Sequence, residues 1–167
     1  MKVILIETRG EKLAVNKDLA GTFGTATDTG TGYFSRILNK IKKHGVRVPV
    51  VYMGYLYAIF EKYGHDVKFY DKIPDESADL VIIASSTVDH ENEINLVRKI
   101  KSTSNAKAGF IGAFATTNPE LFLNECDFII SGEPEDAVIQ LAEGKIQPQG
   151  IIISKLLQNL DDLPFPN

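Results

Sequence analysis

Three short triplets of small or hydroxyl-bearing residues each follow an apolar, strand-like run, and these are the positions where the chain could do chemistry. They are Ser85-Ser86-Thr87, Gly112-Ala113-Phe114 and Ser131-Gly132-Glu133. In open α/β sheets, ligands bind at the carboxyl ends of the strands. Small residues let a ligand approach the backbone, and hydroxyl groups both donate and accept hydrogen bonds. The pattern predicts a binding edge made of three strand ends.

Two of these triplets also have a purely structural interpretation. Residues of the types found from Ser85 to Thr87 commonly cap helices, and a helix is predicted to begin near His90. Gly132 and Glu133 could form a turn and nothing more. For any single residue, both interpretations stay open from the sequence.

Residues that commonly carry catalysis or hold metals are scattered. The three histidines, His44, His65 and His90, fall at a helix end, a turn and a helix start, so no metal site is expected. Cys126 is the single cysteine and lies in an apolar stretch, which predicts a buried thiol and no disulfide. Since no nucleophile stands beside a base, we expect no catalytic residue and no catalysis from this chain alone.

Apolar, β-rich runs alternate with helical patterns, which is typical of a parallel sheet covered by helices on both faces. The expected class is a doubly wound α/β fold, Rossmann-like or flavodoxin-like, with a mainly parallel five-stranded sheet. Its strands are predicted at Lys2–Glu7, Asp66–Asp71, Leu80–Ser85, Ala108–Gly112 and Asp127–Ser131. Its helices are predicted at Tyr33–Lys43, Val50–Tyr63, His90–Thr103, Pro119–Glu125 and Glu135–Ala142. A further short strand is expected at Ile151–Ser154.

Length and charge restrict the organisation and the partners. The 167 residues suit one domain with a good core, which we place at 1–154. Its 18 basic and 22 acidic residues include no basic run that could follow a phosphate backbone, so no nucleic-acid partner is expected. The absence of a signal peptide and of an apolar stretch of spanning length predicts no membrane partner. Together with the single cysteine, these features favour the cytoplasm.

The last residues predict a connector. The run Leu160-Asp161-Asp162-Leu163-Pro164-Phe165-Pro166 cannot continue a helix because of its prolines, so 155–167 is expected to be extended and to leave the domain.

Two other doubly wound families leave partial signals. The segment Thr25–Gly32 resembles the phosphate loop of flavodoxins, and it precedes a predicted helix start that could hold a flavin phosphate. A long insertion separates it from the first strand, so flavin binding is kept as a lesser alternative. A receiver domain would need an acidic pair after the first strand and an aspartate after the third, where only Glu7 and serines are found.

Four motifs resemble the cobalamin-binding domains of radical SAM enzymes. Residues 49–67 read PVVYMGYLYAIFEKYGHDV, similar to the family's helix-to-strand passage with its closing Gly-His-x-Val. Residues 112–120, GAFATTNPE, stand where the family has Gly-Gly-Pro-His-Ala-Thr followed by Pro-Glu. SGEPE at 131–135 and LDDLPFP at 160–166 complete the set in the family's order, the last preceding the radical SAM barrel in those enzymes.

The resemblance implies a cobalamin (vitamin B12)-binding module. A corrin is a broad, largely apolar plate edged with amides, so it needs small residues and backbone hydrogen-bonding groups. We expect its lining at Ser85, Ser86, Thr87, Gly112, Ala113, Phe114, Ser131, Gly132 and Glu133, with Glu133 accepting a hydrogen bond from a cofactor amide or fixing its own loop. Other cobalamin domains hold cobalt through the histidine of Asp-x-His-x-x-Gly, but Asp71 is followed by Lys72-Ile73-Pro74, so no histidine ligand below the cobalt is expected.

The resemblance also implies a partner. In the family, a radical SAM barrel carries a [4Fe–4S] cluster and S-adenosylmethionine, and it uses cobalamin in methyl transfer or radical rearrangement. With one cysteine, this chain lacks the three-cysteine motif for the cluster, so the barrel is expected downstream or on a separate partner.

One departure supports a second hypothesis, a docking or regulatory domain without a cofactor. The family's Gly-Gly-Pro-His is replaced here by Ile111-Gly112-Ala113-Phe114. Phe114 could fill the space of a missing corrin or stack beside a bound one.

Overall fold

The computed structural model describes residues 1–8, 30–45 and 51–166. Most of the predicted first loop, including residues 25–29 of the flavodoxin-like segment, lies outside them. The strands are β1 (Lys2–Ile6), β2 (Asp66–Tyr70), β3 (Leu80–Ala84), β4 (Lys107–Ile111), β5 (Phe128–Ser131) and β6 (Gly150–Ile153). The helices are α1 (Tyr33–Gly45), α2 (Val51–Lys62), α3 (His90–Thr103), α4 (Ala113–Thr117) and α5 (Glu135–Ala142), with short 3₁₀ helices at Pro119–Leu121 and Leu160–Asp162.

The strands form one parallel sheet in the order β2-β1-β3-β4-β5-β6. This confirms the doubly wound α/β class, in the flavodoxin-like strand order. The sheet has six strands, not five, because Gly150–Ile153 pairs with β5 along its whole length. The central strand β3 is buried at every position, as expected of a parallel strand covered on both faces.

Helices cover both faces of the sheet and build two hydrophobic clusters. On one face, α2 and α5 pack their apolar residues, such as Leu56 and Val138, against β1, β3 and β5. On the other face, α3 and α4 contribute residues such as Val97 and Ala115, joined by Phe122. The alternation of side chains along each strand divides its residues between these two clusters.

The predicted helix at Pro119–Glu125 was wrong. Only a 3₁₀ helix forms at Pro119–Leu121, and α4 occupies the segment just before it. Asn118 separates the two with φ −132° and ψ 54°, outside the helical region. Helical dihedrals are disfavoured for a residue that precedes a proline. Helix α4 is therefore capped at Asn118, and a short 3₁₀ helix follows from Pro119.

The connection from β2 to β3, residues 71–79, contains no helix and is held by Glu76. Its carboxylate contacts the ammonium groups of Lys2, at 2.5 Å, and Lys68, at 2.9 Å, and accepts a hydrogen bond from the Tyr70 hydroxyl. The hydrogen bond from Lys2, followed by those from Tyr70 and Lys68, lowers the pKa of Glu76 to about 2. One carboxylate therefore fastens the connection to both β1 and β2.

Candidate functional site

A cavity of about 730 Å³ opens at the carboxyl ends of β4 and β5. Its volume is typical of small-molecule sites, and its place at the strand ends is where α/β sheets bind ligands. It is lined by Tyr52, Tyr55, Ile111, Gly112, Ala113, Thr116, Gly132, Glu133, Pro134, Glu135, Leu160 and Leu163.

Two glycines at this edge have backbone conformations that side chains rarely adopt. Gly112 has φ +108° and Gly132 has φ +94°. A β-carbon at Gly112 would also lie 3.1 Å from the carbonyl oxygen of Ser85, and one at Gly132 would lie 3.3 Å from that of Ser154. Glycine is therefore required at both turns, and there the cavity is bounded by bare backbone.

Thr116 links the turn after β4 to the turn after β5 by a hydrogen bond. Its hydroxyl oxygen accepts a hydrogen bond of 3.0 Å from the backbone N–H of Gly132. Thr116 lies one helical turn after Gly112, and its own N–H donates to the Gly112 carbonyl. The turns after β4 and β5 are thus fixed relative to each other by one hydroxyl group.

The sides of the cavity come from α2 and from the connector. Tyr52 and Tyr55, three residues apart on α2, lie on one face of that helix. Leu160 and Leu163 belong to the connector, and Leu163 also packs against the core. The connector was expected to be extended and to leave the domain. Instead, it forms a 3₁₀ helix at Leu160–Asp162 beside the cavity.

Two carboxylates, Glu133 and Glu135, provide the charge in the cavity lining. Burial, followed by the negative charge of Glu133, raises the pKa of Glu135. The twelve described residues that line the cavity include no lysine, arginine or histidine. The site therefore suits a neutral or donor-rich ligand better than an anionic one.

The strand end of β3 is built differently. The backbone N–H and the hydroxyl of Ser86 donate to the two carboxylate oxygens of Glu93, each at 3.0 Å, and Glu93 is fully buried. Asp89 accepts hydrogen bonds from Thr8, at 3.3 Å, and from Asn92, at 2.6 Å. Among the described residues, the polar side chains that follow β3 thus find partners within the protein: Ser86 bonds to Glu93, and Asp89 bonds to Thr8 and Asn92.

Ser85 and Thr87 flank Ser86 in the sequence. The hydroxyl of Ser85 is buried, the residue being 4% exposed, and it has no hydrogen-bond partner among the described residues. Its backbone N–H donates to the Ile111 carbonyl, so Ser85 lies beside the turn that follows β4. Thr87 is exposed, and its carbonyl oxygen lies 3.1 Å from His90 Nδ1.

Phe114 and Ser131 do not line the cavity. The Phe114 ring lies 5.0 Å from the ring of His90 and 5.9 Å from that of Phe122, in the cluster on the α3 face of the sheet. Ser131 is half-buried, and its carbonyl accepts the Ser154 N–H as part of the pairing of β5 with β6.

The structure therefore brings together four of the nine expected positions. Gly112, Ala113, Gly132 and Glu133 line the cavity, whereas Ser85, Ser86, Thr87, Phe114 and Ser131 do not. Sequence reasoning missed the lining residues Tyr52, Tyr55, Ile111, Thr116, Pro134, Glu135, Leu160 and Leu163. The spacing of the two tyrosines and the position of Thr116 one turn after a glycine were the available signals.

Neither a metal site nor a reactive thiol is supported by the residues that the structure describes. No group of three histidine, cysteine or acidic side chains among them is arranged to hold a metal ion. The Cys126 thiol donates to the Phe122 carbonyl at 3.2 Å, and burial raises its pKa to about 11. A thiol with that pKa is almost entirely protonated at neutral pH and is a poor nucleophile.

No model of a known protein family matches this chain, and no curated protein matches it. What bears on function is therefore the geometry of the site together with the motifs of the sequence.

Proposed function

We propose that this chain is a cobalamin-binding module that serves a radical SAM enzyme. The observation that carries the proposal is the open cavity at the ends of β4 and β5, where Gly112 and Gly132 expose bare backbone. Both glycines belong to motifs in which the sequence resembles that family. The cavity and the resemblance thus point to the same two turns.

The cavity lining suits the chemistry of a corrin. Ala113, Leu160 and Leu163 offer apolar surface to the plate, and the tyrosines Tyr52 and Tyr55 add aromatic surface. Amide groups at the edge of a corrin donate hydrogen bonds, and the carboxylates of Glu133 and Glu135 can accept them. No histidine is among the described residues that line the cavity, so the corrin would be bound there without a histidine ligand to cobalt.

Ser85 offers a further hydrogen-bonding group near this site. Its hydroxyl is buried without a partner, and its backbone adjoins Gly112. A buried, unpartnered hydroxyl is costly unless something bonds to it. A polar group of the ligand that reached past Gly112 would satisfy it.

In this proposal, the residues of the chain bind and orient, and the chemistry is done elsewhere. Cobalamin supplies a carrier for methyl groups or a partner for radical rearrangement when it is bound. A radical SAM barrel on another segment or partner would supply the [4Fe–4S] cluster and S-adenosylmethionine. The expected setting is the cytoplasm.

Anaerobic titration with hydroxocobalamin and methylcobalamin, followed by desalting and an ultraviolet-visible spectrum, tests the proposal. We expect the chain to retain about one corrin with the cofactor's own base detached from cobalt. The substitutions Ala113→Trp and Gly132→Trp should abolish retention by filling the cavity. Gly144→Trp is the matched control, because Gly144 also has positive φ but faces open space away from the cavity.

Two results would overturn the proposal. Loss of all colour from the unsubstituted chain would favour the docking or regulatory domain without a cofactor. Retention of the corrin by both cavity-filling variants would place the corrin elsewhere. A parallel titration with flavin mononucleotide tests the flavodoxin-like alternative, which predicts a retained yellow cofactor instead.

A further inference from the structure

Helix α1 turns its apolar side chains away from the protein. Tyr33 is 76% exposed and Phe34 is 84% exposed, and Ile37, Leu38 and Ile41 are exposed as well. By contrast, Asn39 is only 8% exposed. None of the described α1 side chains belongs to either hydrophobic cluster of the core. The apolar side chains of this helix therefore face solvent, the reverse of an ordinary surface helix.

The exposed apolar residues form a single stripe. Positions 33, 34, 37, 38 and 41 repeat at the three- and four-residue spacing that places side chains on one side of a helix. The rings of Tyr33 and Phe34 meet edge to face, with centroids 5.7 Å apart, at the amino end of this stripe. We call the five residues the apolar stripe of α1.

Basic residues accompany the apolar stripe. The sequence of α1 contains Arg36, Lys40, Lys42 and Lys43 and no acidic residue, although the whole chain has a net charge of −4. Arg36, Lys40 and Lys43 follow the same helical spacing, which puts their positions along one border of the stripe. Positive charge thus accompanies the exposed apolar face of α1.

We propose that α1 binds the surface of an anionic lipid membrane, lying in the plane of the interface with the apolar stripe inserted. Exposed aromatic and aliphatic residues beside a lysine- and arginine-rich border are the features of interfacial helices. Charge complementarity favours this occupant over a second copy of the chain. Two copies of α1 packed stripe to stripe would place two positively charged helices against each other, and α1 has no acidic residue to pair with the basic ones.

The length of α1 agrees with a surface position. Thirteen residues span about 20 Å, which is shorter than the hydrocarbon core of a bilayer. Across 1–8, 30–45 and 51–166, no helix has the length and apolar character needed to cross a membrane. The sequence-based expectation of no membrane partner rested on the length needed for spanning. A helix that lies flat does not need that length.

Cosedimentation of the full chain with lipid vesicles tests the inference. We expect binding to vesicles of phosphatidylcholine mixed with phosphatidylglycerol and little binding to pure phosphatidylcholine. Added salt should weaken the binding, because it screens the attraction between basic side chains and lipid headgroups.

Substitutions in α1 separate the contribution of its apolar side chains to vesicle binding from that of its basic side chains. Phe34→Ser combined with Ile41→Ser should weaken binding by about tenfold or more, since two exposed apolar side chains are lost. Arg36→Gln combined with Lys40→Gln should weaken it by about fivefold for each neutralised charge. Ile153→Ser is the matched control, because Ile153 is 80% exposed on β6, far from α1 in sequence, and should leave binding unchanged.

Three outcomes would overturn the inference. The first is no binding to either type of vesicle, and the second is equal weakening by the Ile153→Ser control. The third is self-association without vesicle binding, abolished by the Phe34→Ser and Ile41→Ser pair, which would make the apolar stripe an interface between two copies. Corrin retention is measured without lipid, so failure of this inference is distinct from failure of the proposed function.

Discussion

The end of β3 and the ends of β4 and β5 lie on the same edge of one parallel sheet, yet their described residues differ: polar side chains after β3 bond to each other, whereas the turns after β4 and β5 border a cavity. We call the first the closed end and the second the open end. At the closed end, Ser86 and Glu93 satisfy each other in a buried hydrogen-bonded pair. At the open end, Gly112 and Gly132 remove side chains from the turns, and a cavity remains. The described residues that follow each strand thus decide whether its carboxyl end borders a cavity.

The largest effect is expected from Glu93→Ala at the closed end. The change leaves both donors of Ser86 unsatisfied in a buried position and should lower the free energy of unfolding by about 3 kcal/mol. Glu133→Ala at the open, exposed end should change it by no more than about 0.5 kcal/mol. Urea unfolding of both variants measures the contrast. Similar losses for the two variants would contradict the division into a closed and an open end.

A smaller loss is expected at the glycine turn after β4. Gly112→Ala should cost about 2 kcal/mol, because φ +108° is strained for alanine and the new methyl group would press on the Ser85 carbonyl. Gly144→Ala should cost about 1 kcal/mol, since there φ is positive but the space is open. Thermal or urea unfolding separates the two. If both variants lose the same free energy, the close approach of Ser85 to Gly112 is unimportant.

Thr116→Val should cost about 1 kcal/mol by removing the acceptor of the Gly132 N–H. Because that hydrogen bond joins the turns after β4 and β5, amide hydrogen exchange at Gly132 should also become faster. Thr116→Ser keeps the hydroxyl and serves as the control. Unchanged exchange at Gly132 in the valine variant would show that the open end is held by other contacts.

The smallest effect is a pH-dependent gain from Glu135→Gln. Burial raises the pKa of Glu135 in the folded state above its value in the unfolded chain, so the native protein binds this proton more tightly. The unsubstituted chain therefore loses stability as the pH rises from the ordinary glutamate range through the raised pKa. Glutamine removes that loss and should be slightly stabilising at pH 7. A gain of the same size well below the ordinary glutamate pKa would exclude titration as its cause.

Much of the fold could be predicted because local patterns agreed with the tertiary structure. The apolar run Leu80–Ala84 forms the buried central strand, and the helices at His90–Thr103 and Glu135–Ala142 have the predicted bounds. The segment Ala113–Thr117 was harder, because it is a helix of five residues between a glycine and a pre-proline asparagine. Its formation depends on the turn at Gly112 and not on any periodic pattern.

The candidate site was harder to predict from the sequence than the fold. The direction in which a side chain points after a strand depends on the conformation of the turn that follows the strand. Gly112 and Phe114 are two residues apart, but Gly112 lines the cavity and Phe114 packs with His90 on the other face. Ser85 and Ser86 are the same residue type, and only Ser86 has Glu93 as a partner. Such differences depend on positive φ values and on contacts between residues far apart in the sequence. The local composition of the chain predicts neither.

Leu160 and Leu163 line the cavity, so the position of the connector depends on whether a molecule is bound there. If a bound molecule contacts these leucines, its affinity and the docking of the connector are reciprocally coupled, so each strengthens the other by the same factor. Whatever pulls the connector away would then also promote release of the molecule. The exposed Lys155, at the start of the connector, offers a trypsin site whose rate of cleavage would follow that exchange.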